Sequence, residues 1–93
     1  MSRHIARSDR WQRMGPLEMR SDDGLVVRFF KRAWWAEVAY RVLSEEPGAA
    51  ASEEHMDRLG PFKRPRNAMV EAERHETMLR NRFGTRIAFG SSN

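Results

Sequence analysis

The run from Leu25 to Leu43 is the densest stretch of large apolar side chains in the chain, so whatever covers it decides the fold. It is preceded by Ser21-Asp22-Asp23-Gly24, whose oxygens suit a helix N-cap, and it stops at Ser44-Glu45-Glu46-Pro47-Gly48, where proline and glycine break regular structure. These signals predict a helix over about residues 22 to 44. Plotted at helical spacing, Leu25, Val26, Phe29, Phe30, Ala33, Trp34, Ala36, Val38 and Tyr40 occupy more than half the circumference. Arg28, Lys31, Arg32, Trp35 and Ala39 form a narrow strip opposite. A helix apolar on so many sides outruns the cover that one neighbouring helix gives, and the missing cover is expected from another molecule.

A second helix is predicted from about Arg66 to Phe83, where Glu71 and Arg74, then Glu76 and Arg80, stand at helical spacing. Between the helices, residues 44–57 carry Glu45, Glu46, Glu53, Glu54 and Asp57 and no base, and Ser52 to Pro61 suits a short helix or turn. Pro61 and Pro65 bracket an extended Phe62-Lys63-Arg64. The expected fold is mainly α: two long helices joined by an acidic hinge, extended, with little independent core and irregular arms. Its parts are a basic N-terminal arm over 1–20, the aromatic-rich helix over 21–44, an acidic hinge and proline-bracketed linker over 45–65, the basic helix over 66–83 and a tail over 84–93. A strand through Arg86 to Phe89 lacks an evident partner.

With 93 residues and no cysteine, the chain has neither disulfides nor thiolate metal sites to reinforce a small core. His4, His55 and His75 lie too far apart in sequence for a local ligand pair, so no metal or cofactor is expected. No uncharged run approaches the roughly 18 residues of a spanning helix. Phosphate-cradling glycine loops and nucleophile elbows are absent, and the adjacent acids Asp22/Asp23, Glu45/Glu46 and Glu53/Glu54 suit caps or solvated faces, so no catalytic residues are assigned and an enzyme is not expected.

Of the 17 basic residues only Lys31 and Lys63 are lysines, and the net charge is +4. Arginine's planar fork matches phosphate oxygens and stacks on rings, which points to interface cations. The opening MSRHIARSDRWQRM resembles a mitochondrial targeting segment in composition, giving an expected mitochondrial location, with the cytoplasm otherwise.

Val27-Arg28-Phe29-Phe30-Lys31-Arg32, then Ala36-Glu37-Val38 and Arg41, resembles the twenty-first small-subunit ribosomal protein family of bacterial type, which also occurs in mitochondria. Phe62-Lys63-Arg64-Pro65, followed by Glu71-Ala72 and Arg74, is similar to that family's second motif, so the resemblance spans roughly residues 25 to 83. It implies a helical protein seated on small-subunit rRNA among neighbouring ribosomal proteins. The expected function is therefore a structural rRNA-binding component of a mitochondrial ribosomal small subunit, which would not stand alone as an autonomous monomer. Arg28, Lys31, Arg32, Lys63, Arg64 and Arg66 would neutralise phosphates and Trp35 would stack, while Phe29, Phe30 and Trp34 would anchor the chain to protein. The alternative is an accessory, non-catalytic subunit of a large mitochondrial complex such as a respiratory-chain complex, with protein subunits as partners.

Overall fold

The chain forms an antiparallel sheet with one helix across it, in a computed structural model that describes residues 10–43 and 53–90. The order is β1 Trp11–Gly15, β2 Glu18–Ser21, β3 Val26–Phe30, β4 Ala33–Val42, β5 Glu53–Phe62, α1 Pro65–Phe83 and, after a single 3-10 turn, β6 Ile87–Phe89. Strands β1 to β5 follow one another as a meander, each antiparallel to the last. β6 returns to pair with the second half of β4, Tyr40 opposite Phe89, and so continues the line of β3.

The expected mainly α fold, with a first helix over 21–44, is corrected by this sheet. Leu25 to Leu43 is a β-hairpin and its lead-in. Valine and aromatic side chains suit a pleated surface, and the pattern in β4 alternates: Trp34, Ala36, Val38, Tyr40 and Val42 on one face, Trp35, Glu37, Ala39 and Arg41 on the other. Spread over a helical wheel, a period of two scatters apolar residues around the circle, which is why the run looked apolar on several sides. The Ser21 to Gly24 oxygens close a turn instead of capping a helix. Ser21 Oγ accepts the Leu25 N–H at 2.9 Å and donates to Asp23 Oδ1 at 2.6 Å. Gly24 holds φ +90, and a Cβ there would lie 2.6 Å from the Gly90 Cα, so glycine at this turn lets the end of β6 pass.

The acidic hinge expected over 45–65 is corrected in the same way where it is described. Glu53–Phe62 is the longest edge strand, paired along β4 from Val42 opposite Glu53 to Trp34 opposite Phe62. Residues 45–52 of that hinge, residue 44 at the end of the expected first helix and the first nine residues of the N-terminal arm lie outside the described residues. From Arg10 onward the arm is β1 and β2, and the tail supplies β6, whose partner strand was concealed inside the expected helix.

α1 spans Pro65–Phe83, close to the expected bounds. Proline at its first turn needs no N–H partner, and Gly84 with φ 60 ends it by donating its N–H to the Arg80 carbonyl. The helix lays Ala68, Ala72 and Leu79 on Leu25, Val27, Ala36, Val38 and Ile87, all buried. Alanines at the contact let helix and sheet approach closely, so the chain's own helix covers the apolar face assigned above to another molecule.

Candidate nucleic-acid interface

β3 and β4 are joined by two residues only, Lys31 and Arg32, with φ 51 and 65. A two-residue hairpin turn follows the twist of its strands when both central residues take positive φ, a conformation that Asn-Gly adopts readily and long side chains adopt at a cost. Two cations held in this backbone at an exposed tip are a local compromise of stability.

The register brings further cations to the same end. Arg28 and Trp35 are direct partners on the sheet face away from α1. Phe62 pairs with Trp34, so the chain leaves β5 beside the tip and places exposed Lys63 and Arg64 there, with exposed Arg66 in the first turn of α1. That first turn carries no acid, so the positive end of the helix dipole adds to the same field. Lys31, Arg32, Lys63, Arg64 and Arg66 have no carboxylate partner among the described residues. The hairpin turn and the end of β5 thus bring Lys31, Arg32, Lys63 and Arg64 to one end of the sheet, rather than along one helical strip.

The aromatics divide between the faces. Phe29 meets Trp34 edge-on at 5.3 Å on the α1 side, where Trp34 packs against the core and Phe29 stays 36% exposed. On the other face Phe30 stacks on Trp35 at 5.4 Å, and the Trp35 indole N–H donates to the Phe30 carbonyl at 3.0 Å. One face of Trp35 is therefore occupied from within, and Phe29 is the better exposed ring. Trp34 serves the fold itself.

Arg28 does not act alone. Its Nη2 lies 3.1 Å from Glu37 Oε1, while Arg58 holds Glu37 Oε2 at 2.9 Å through Nη2 and stands over the Phe30 ring at 5.1 Å. Glu37 is buried between these two arginines. Beside them a groove of about 720 Å³ runs under the Pro16-Leu17 turn, lined by Met14, Leu17, Phe29, Phe30, Arg28 and Arg58. Sequence reasoning missed Arg58, because only the β4–β5 register brings it to Glu37 across 21 positions.

No family model, curated protein or solved structure matches this chain. The geometry alone carries the functional argument.

The opposite end of the sheet holds an acidic cluster around Arg10. Arg10 reaches Asp23 at 2.6 Å and Glu76 at 3.2 Å, and Trp11 donates its indole N–H to Glu73 at 2.7 Å. Burial, then the neighbouring Asp23 carboxyl, pushes Glu76 up to about 7 despite Arg10. For Asp23 burial acts upward too, but hydrogen bonds from Glu76, Ser21 and Arg10 outweigh it and bring it down to about 2. Glu76 Oε2 is buried without a hydrogen-bond partner, and a proton there turns it into a donor. Among the described residues, no group of His, Asp and Glu side chains could hold a metal ion, and Arg10 already occupies the centre of this cluster.

Proposed function

We propose that this chain is a non-catalytic RNA-binding module that seats a single-stranded phosphodiester backbone on the end of its sheet. The observation that supports the reading is the convergence of Lys31, Arg32, Lys63, Arg64 and Arg66, from two separate places in the chain, without an acid to neutralise them among the described residues. Phosphates supply the complementary charge, and Phe29 offers a ring on which an unstacked base can lie. Arg28 stays with Glu37 and acts as a rim cation. The ribosomal resemblance implied a helical protein, so the sheet removes its structural support, and RNA binding rests on the charge geometry.

A second reading, a subunit of a protein complex, draws on the neighbouring apolar patch: Met14 is 54% and Leu17 51% exposed beside Phe29. Binding of labelled single-stranded RNA, single-stranded DNA and duplex, followed by fluorescence anisotropy at graded salt, separates the two. The RNA reading expects log affinity to fall with log salt by about 0.7 per phosphate contacted, hence by about 3 to 4 for these cations. Replacing Lys63, Arg64 and Arg66 together with alanine should flatten that slope by about 2. No binding to any of the nucleic acids at low salt would defeat the proposal and leave the protein-complex reading.

A further inference from the structure

The line of strands from β1 to β5 has two outer edges of different character. β1 is five residues long and its register slips between Arg13 and Gly15, features that blunt an edge against further pairing. β5 is ten residues long, and no described strand lies beyond it. Half of its backbone N–H and C=O groups therefore point outward, ready to accept another strand.

We infer that β5 pairs with β5 of a second copy, antiparallel, about a two-fold axis through Met56. The order of side chains selects this occupant. Gly60 and the imide Pro61 end the pairing edge, leaving Glu53 to Leu59, a run whose centre is Met56. About that centre, Glu54 stands opposite Arg58 of the second copy and His55 opposite its Asp57, each pair occurring twice by symmetry. Met56 meets itself, and it is 52% exposed in the single chain. Glu54, Met56 and Arg58 share the face away from α1, since they pair with Arg41, Ala39 and Glu37, while Asp57 lies on the α1 side, bonded to His75 at 2.8 Å. On the face away from α1 the joined sheet thus sets each Glu54, which also bonds Arg41 of its own chain at 2.6 Å, opposite an Arg58 of the other copy. A pairing shifted by two residues, centred on Asp57, sets acid against acid, so the sequence also opposes a slipped register.

The contact uses none of Lys31, Arg32, Lys63, Arg64 and Arg66, so it stands or falls separately from RNA binding. Sedimentation velocity of the full chain over a concentration series reads it directly. The parent chain should move from monomer to dimer. Met56→Asp and Met56→Lys, each placing like charges on the axis, should dimerise about tenfold more weakly, and an equimolar mixture of the two should recover a dimer. Because the chain has no cysteine, Met56→Cys should oxidise to a covalent dimer, whereas Met78→Cys, on an exposed position of α1, should not. A parent that stays monomeric throughout, or Met56 variants that dimerise as the parent does, would overturn the inference.

Discussion

Replacing Lys31 with asparagine and Arg32 with glycine separates folding from binding at the hairpin tip. Each of these residues holds a positive φ, and a left-handed backbone costs about 1 kcal/mol at a residue with a Cβ. Asn-Gly accepts the turn readily. Glycine also loosens the unfolded chain, which offsets about 0.5–1 kcal/mol of the gain. The double variant should therefore be more stable by about 1 kcal/mol, a rise of about 4–8 °C in Tm for a domain of this size. It should at the same time bind single-stranded RNA more weakly, with a salt slope shallower by about 1.4 for two lost phosphate contacts. Thermal denaturation by circular dichroism and anisotropy on the same samples measure both. A lower Tm would refute the reading of the turn, and an unchanged salt slope would remove the tip from the interface.

The remaining predictions concern the fold. Glu76 takes up a proton more readily folded than unfolded, so its contribution is present below its ordinary value of 4.5 and is lost as pH rises toward about 7. Asp23 runs the other way, and its contribution, present above 3.8, is lost as pH falls toward about 2. Tm should accordingly fall between pH 4.5 and 7, and Glu76→Gln should abolish most of that fall; a parent whose Tm is flat across the window contradicts the assignment. Leu25→Ala empties a fully buried position and should cost about 3 kcal/mol by urea denaturation. Gly24→Ala meets both the positive φ and the Gly90 backbone, and should lower stability by about 2 kcal/mol or more on the same assay.

The candidate site was more legible than the fold that carries it. Arg28, Lys31, Arg32 and Trp35 lie so near one another in the chain that helix and hairpin both hold them together, although for different reasons. Lys63, Arg64 and Arg66 were recognisable as a second basic group, but their meeting with the first depends on β5 running back along β4. Arg58 and its grip on Glu37 had no local signal at all. The hairpin itself was hidden because its turn holds a lysine and an arginine where glycine, asparagine or proline would have marked it.

Local chemistry by itself determined α1: Pro65 starts it, ion pairs one turn apart support it, and Gly84 stops it, all within reach of neighbouring residues. Composition also determined that the chain folds without thiols and carries an excess of arginine. Tertiary structure decided the rest, because a strand gains little from its own sequence and becomes stable only against partners distant in the chain. Pairing with β3, β5 and β6 made a strand of Ala33–Val42, and α1 then covered Leu25, Val27, Ala36 and Val38 while the basic groups gathered at the uncovered end.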